Sequence, residues 1–265
     1  MGVITIAEGS PRVLRGTTWF RLVAGARLQE GDILVATGTG QVQVELFAGG
    51  AFNLGAPGSL FAASLPITGD KATGLLEFSL PAGWLKLAAL GAAPGVQIQF
   101  EGTSLNATTA IAVIHAQPGG MELFIESGAA TLIESGAGGK APTTTEMKAG
   151  EFAARSADRP LRFDRRAPAA FVTTIPRHLI DPLPTLAAKF KSTQVQWAAE
   201  QEITYAEAEP WLSGPWRKLF LKRFQPRLKD REFRAAVEAQ IARYPEWDRL
   251  LHPEKYAPKR PAVAK

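Results

Sequence analysis

The chain has 265 residues, 46% of them apolar and 21% charged, a balance that suits one large globular domain or two modest ones and excludes a disordered polymer. It contains no cysteine, which removes disulfide frameworks, thiolate metal sites and cysteine nucleophiles. The net charge of +5 is unevenly divided: residues 1–154 carry 8 Lys/Arg against 12 Asp/Glu, and residues 155–265 carry 22 against 13, so an acidic part (−4) meets a basic part (+9) near Arg155.

From the start, short apolar runs arrive every eight to ten residues, each closed by Gly or Pro: ITIAEG, RVLRG, WFRLVAG, DILVATG, QVQVELF, AFNLG and SLFAAS. Between Gln41 and Leu46 the alternation is complete, with Val42, Val44 and Leu46 on one side and Gln41, Gln43 and Glu45 on the other, which predicts a half-buried strand. The habit continues through LLEFSLPAGWLKLAALG, VQIQFEG, TAIAVIHA, MELFIESGAATLIES and TTTEMKAGEFAAR, and no three-turn helical stripe precedes residue 185. Thr37-Gly38-Thr39-Gly40 leads into the strand QVQVELF. A phosphate cradle needs a helix N-terminus there, so the glycines at 38, 40, 49, 50 and 55 are predicted to be corners between strands. The prediction for residues 1–155 is an antiparallel β-sandwich or solenoid-like sheet.

Prolines at 160, 168, 176, 182 and 184 predict an extended linker over 156–184. A small helical region, 185–256, is predicted next, opening with a helix from Leu186 to about Trp197. Ser213-Gly214-Pro215 then offers a helix start, followed by a stripe of Trp216, Leu219, Phe220 and Phe224. Asp230 is a good N-cap for a helix carrying Phe233, Ala236, Val237, Ile241 and Tyr244, which Pro245 stops. Trp247, Leu250 and Leu251 form a closing turn, and APKRPAVAK, residues 257–265, reads as a disordered basic tail.

The order of turn and strand signatures resembles the FecR domain, a periplasmic all-β module. The resemblance runs through Gly25, Arg27-Leu28, Gly31-Asp32, Thr37-Gly38, Gly50, Leu54-Gly55 and Ser59-Leu60. It continues in Gly83-Trp84-Leu85-Lys86-Leu87, Leu123 to Gly128, and Lys148 to Phe152, and covers roughly residues 1–155. It implies a module that binds another envelope protein in the periplasm. Signal transducers of that family carry an anti-sigma segment and a membrane helix ahead of the domain, whereas here Met1-Gly2 leads straight into a strand, with neither a secretory signal nor a transmembrane segment. The implied role is therefore the binding module and not by itself sigma-factor regulation.

Enzyme chemistry finds little support in the residues. His115, His178 and His252 stand singly, without the local spacing of a zinc site, and no Gly-x-Ser-x-Gly elbow occurs. Asp32, Asp70, Glu77, Glu101, Glu122 and Glu126 are available as carboxylates, but at turns or outward strand positions. No cofactor is predicted. The basic cluster Arg217, Lys218, Lys222, Arg223, Arg227, Lys229, Arg231 and Arg234 reads as a solvated or docking face, since the stripe turns Trp216 and Phe220 inward and leaves nucleic acid no stacking platform. Candidate partner-binding residues are Trp84, Lys86, Arg217, Lys218, Lys222 and Arg223, with Trp84 expected to be buried. The predicted function is a non-enzymatic periplasmic scaffold or signalling module. The alternative is a cell-wall accessory that binds polysaccharide or peptidoglycan through Trp19, Trp84 or Phe52.

Overall fold

A computed structural model describes residues 2–47, 49–68, 71–91, 95–136, 141–156 and 159–256; Asp70 and the basic tail 257–265 lie outside the described residues. The chain divides into two compact units, Met1–Arg15 with Phe20–Ala199, and Gly16–Trp19 with Glu200–Lys265. The long division thus falls at Ala199, not near Arg155. The Pro-rich stretch 156–184 belongs to the first unit because it buries Phe171 and Leu179 there. The fold is mainly β with small C-terminal helices, as the strand and stripe patterns predict.

The strands are β1 (Gly2–Glu8), β2 (Arg12–Arg15), β3 (Thr18–Arg21), β4 (Arg27–Leu28), β5 (Ile33–Ala36), β6 (Gln41–Leu46) and β7 (Ala51–Ser64). After a small hairpin of β8 (Ile67–Thr68) and β9 (Lys71–Ala72) come β10 (Leu76–Leu90), β11 (Val96–Phe100), β12 (Thr103–Gln117), β13 (Gly120–Glu134), β14 (Thr143–Lys148), β15 (Phe152–Ser156) and β16 (Arg162–Asp164). In the first unit they form one bent, unclosed sheet in the order β16-β15-β13-β12-β11-β10-β7-β5-β2, with β6 also on β7, β1 on β6, β4 on β1 and β14 on β13.

The long strands change partners midway. In β7, residues 51–55 pair with β6 and residues 58–61 with β5. In β13, residues 120–124 pair with β15 and residues 129–134 with β14. Register shifts mark the bends, as strands that turn a corner between two sheet layers require. One bend is fixed by Gly128: its φ is +73°, and a Cβ there would lie 1.9 Å from the Thr109 carbonyl oxygen. One core holds residues from both halves, including Leu54, Leu85 and Ile114 with Leu60, Phe78 and Leu105. The antiparallel expectation is corrected where β11 runs parallel to residues 76–79 of β10. The second half of β10 is already taken by β12, so β11 fills the place beside the first half.

Of the predicted corners, Gly38, Gly40, Gly49 and Gly50 lie between strands, whereas Gly55 is corrected to a position inside β7, opposite Gln41 and Trp84. Gly38 has φ +64°, the Gly40 amide donates to the Thr37 carbonyl at 3.2 Å, and β6 follows directly. A Cβ on Gly40 would sit 2.0 Å from the Glu8 carbonyl oxygen, so close approach of two chain segments is what these positions serve.

In the Pro-rich stretch of the first unit, α1 (Ala169–Thr174) and a 3₁₀ turn, Arg177–Leu179, interrupt the expected extended linker. The helix expected from Leu186 is only the 3₁₀ turn Ala187–Phe190. Ser192, Thr193 and Val195 lower helix propensity, and Trp197 is held edge-on by Phe20 at 5.8 Å and stacked under Arg15 at 4.4 Å, which favours an extended path.

The second unit opens with β17 (Ala199–Glu202), followed by α2 (Tyr205–Ser213), α3 (Arg217–Phe224), α4 (Arg231–Glu238) and α5 (Pro245–Leu251). A capping box of Thr204 and Glu207 starts α2, and Asp230 caps α4 by accepting from the Phe233 amide at 2.9 Å. The core is aromatic: Trp211 meets Phe220 at 5.2 Å, Phe220 meets Phe224 at 5.5 Å, and Tyr244 meets Trp247 at 5.3 Å. The predicted stripe is corrected in α3, where Phe220, Leu221 and Phe224 face inward and Leu219 is 45% exposed. Pro245 begins α5, while α4 ends earlier, at Glu238.

Candidate partner-binding face

The strand register aligns two rows of side chains on the sheet face that points away from the main core. The first row is Gln43, Asn53, Lys86, Val113, Phe124 and Phe152, directly opposite one another across β6, β7, β10, β12, β13 and β15. The second is Gln41, Gly55, Trp84, His115, Glu122 and Ala154 on the same strands. Alternation explains why this face exists, but not why it is dry. Gln43 is 0% exposed, Asn53 and Lys86 2%, and Glu45 8%, so β6 is buried on both sides and not half-buried as its pattern predicts.

The cover is the Pro-rich stretch, which crosses the strands as a strap. At its start Phe171 packs on Phe152, Trp84 and Phe124, with ring centroids 4.9, 5.5 and 6.5 Å away. In the middle, the Lys86 Nζ donates to the carbonyls of Leu179, Ile180 and Asp181 at 3.0, 3.2 and 3.2 Å, and to Glu126 at 3.0 Å. A buried ammonium requires such partners. Asn53 Nδ2 reaches the His178 carbonyl at 3.5 Å and Gln41 Oε1 at 2.7 Å. Toward its end, Gln43 Nε2 donates to the Pro184 carbonyl at 2.8 Å, and Glu45 Oε1 accepts from the amides of Leu186 and Ala187 at 2.6 and 3.1 Å. Four sheet residues thus hold the strap by its main chain.

Three buried polar atoms on this face have no protein partner among the described residues: Gln43 Oε1, Asn53 Oδ1 and His178 Nε2. Burial lowers the His178 pKa, against an opposing pull from the Glu8 carboxylate. Trp84 stacks on His115 at 4.1 Å with the rings 5° from parallel, and His115 Nδ1 pairs with Glu122 at 3.0 Å.

Trp84 and Lys86 therefore belong to this one face, and both are buried, Trp84 at 9% exposure. The four basic candidates lie in the second unit and separate by residue type. Arg217 donates to the carbonyls of Leu212 and Arg243 and pairs with Glu246 at 2.9 Å. Arg223 donates to the Gly16 carbonyl at 2.6 Å and lies over the Phe220 and Phe224 rings. Lys218 and Lys222 are exposed on α3. The arginines serve the helical unit itself, and the lysines form its solvated surface. Gln43, Glu45, Asn53 and His178 are members of the face that the sequence reading did not single out. Their available signal was the Gln-x-Gln-x-Glu side of β6 together with the Pro-rich stretch that lies on it.

Of the carboxylates considered for hydrolysis, Glu122 and Glu126 are tied to His115 and Lys86 on this face, and Asp32 is tied elsewhere. Asp32 is 1% exposed and accepts from Arg15 at 2.7 Å and from the Gln29 amide at 2.8 Å. Among the described residues no group of three or more His, Asp or Glu could hold a metal ion, and no helix is long and apolar enough to cross a membrane.

No protein-family model matches the chain, and no curated protein matches it. Two crystal structures of a candidate anti-sigma factor from Parabacteroides distasonis are similar in part, with TM-scores of 0.42 and 0.43 and 10% identity. In both, the matched region covers 53% of this chain and 62% of that one, so this chain spans less than two thirds of their length.

Proposed function

We propose that this chain is a non-enzymatic protein-interaction module with a regulatory or signalling role in the cell envelope. The observation that carries the reading is the buried polar face of the first unit. Its side chains grip main-chain carbonyls and amides of a segment that belongs to no strand, which is how a surface recognises polypeptide. The envelope location rests on the FecR-like order of motifs between Gly25 and Phe152. The polysaccharide-binding alternative is weaker, because Trp19, Trp84 and Phe52 are 3%, 9% and 0% exposed and present no aromatic row to a sugar ring.

The test is in-cell photo-crosslinking from the exposed Ile180 and Leu90, which flank the face, followed by identification of the captured species. One dominant envelope protein supports the module. Crosslinks to glycan alone, or a turnover activity in the purified chain, would overturn it.

A further inference from the structure

We infer that the face formed by Gln43, Glu45, Asn53 and Lys86 is a binding groove for a segment of a partner polypeptide, and that residues 176–187 are its resident occupant, displaced when the partner binds. This rests on the interaction-module reading and adds to it a site, a ligand class and a competitor.

Four observations carry it. Among the described residues, the hydrogen bonds of Gln43, Glu45, Asn53 and Lys86 to the strap reach its main-chain atoms, so these bonds do not depend on its side chains; its apolar anchors are Phe171 and Leu179, 3% and 0% exposed. Among the described residues, no backbone–backbone hydrogen bond of residues 176–187 reaches the sheet, so their leaving breaks no strand ladder, and β16 at the start of the Pro-rich stretch stays paired with β15. Gln43 Oε1 and Asn53 Oδ1 are buried acceptors without a protein donor among the described residues; the strap residue at Gln43 is Pro184, which has no N–H to offer. A segment that brings N–H groups to these acceptors would make bonds the strap does not make, and a buried polar group left unpaired is costly. Finally, a cleft of about 160 Å³ stays open between Leu183, Pro184 and Thr185 of the strap and Leu46, Ala51 and Ala88 of the sheet, room for a larger side chain than the strap supplies. The ligand is thus a peptide that can present three consecutive carbonyls to Lys86 as the turn at 179–181 does, with an apolar side chain in the place of Leu179 and a non-proline residue in the place of Pro184.

The experiment uses the full chain and a fluorescent peptide with the sequence of residues 167–190, in its own form and with both Pro182 and Pro184 replaced by Ala. In the unmodified chain the strap competes, and apparent affinity falls by the fraction of chains that are open. The variant Leu179→Ser loosens the strap and leaves the sheet residues intact. We expect it to bind the peptide saturably and at least tenfold more tightly than the unmodified chain, to bind the alanine form several-fold more tightly still, and to lose at least tenfold when Lys86→Met is added. A folded Leu179→Ser chain that does not bind, or whose binding ignores Lys86→Met, overturns the groove. If that variant does not fold, amide exchange of the unmodified chain with millimolar alanine-form peptide decides: faster exchange over 176–187 supports displacement, and unchanged exchange overturns it. A partner crosslinked at Ile180 or Leu90 without peptide exchange would leave the module standing and remove only the groove.

Discussion

Both units of the chain use cations to satisfy main-chain carbonyls, but they do so from opposite environments. In the sheet unit, Lys86 is 2% exposed and serves three consecutive carbonyls from within. In the helical unit, Arg217 and Arg227 reach the carbonyls of Leu212 and Ile203 with part of the guanidinium in solvent. An ammonium sealed from water depends on every partner it has, whereas a half-exposed guanidinium exchanges a lost partner for water. The same sequence cue, a basic residue beside apolar neighbours, thus carries different weight in the two units, and burial decides which.

The largest effect should come from the helical unit, whose helices are seven to nine residues long and depend on packing for their stability. Trp247 is 2% exposed, packs on Tyr244 and Phe233, and donates from Nε1 to the Leu221 carbonyl. Trp247→Ala should cost about 3–5 kcal/mol. Followed by amide exchange, protection should disappear over α2 to α5 and persist over β10, β12 and β13. Loss of protection in both regions at once would show that the two units unfold as one.

The comparison itself is tested by a matched pair. Lys86→Met should destabilise the sheet unit by about 2–4 kcal/mol, since three carbonyls lose their donor in a dry setting. Arg217→Met, with the side chain 29% exposed, should cost about 1 kcal/mol or less. Equal losses in denaturant titrations of the two variants would show that burial is not what separates them.

How much of this was readable beforehand follows the same division. The strand pattern, the Asp230 cap, the glycine corners and the burial of Trp84 were legible because each is set by local chemistry. The dryness of the Gln41–Glu45 side was not, because alternation places polar residues on one face without saying whether water or chain lies over it. Residues 156–184 looked like linker because proline suppresses regular structure, yet proline leaves carbonyls free, and these are what Lys86 and Gln43 take. Helix α2 went unseen because Pro210 lies inside it, although Thr204-x-x-Glu207 signalled its start. Leu219 and Leu221 exchanged places because α3 has two turns, too few for a stripe to fix its rotation.

A smaller effect sharpens the account of the strap. Gly55 lies beneath His178, and a Cβ there would be 2.9 Å from His178 Nε2 and 3.4 Å from Trp84 Cβ. Gly55→Ala should cost about 1–2 kcal/mol through overpacking and should raise exchange over 176–181 more than elsewhere. An equally stable variant with unchanged exchange would place His178 farther from the sheet than the structure does.

The smallest effect is the pH dependence of the strap, and its sign follows from His178. Burial lowers the folded pKa of this imidazole below its unfolded value of about 6.5, with the Glu8 carboxylate opposing the shift. Between the two values the unfolded or strap-open chain binds more protons than the closed one, so closure is favoured above about pH 6.5 and weakens as pH falls toward the folded value. Exchange over residues 176–187, corrected for its intrinsic pH dependence, should therefore rise from pH 7.5 to pH 5.5. His178→Gln should flatten that rise, and Glu8→Gln, which removes the opposing charge, should steepen it. A strap whose corrected exchange is the same at both pH values, or more protected at the lower one, would mean that His178 is not shielded when the strap is down.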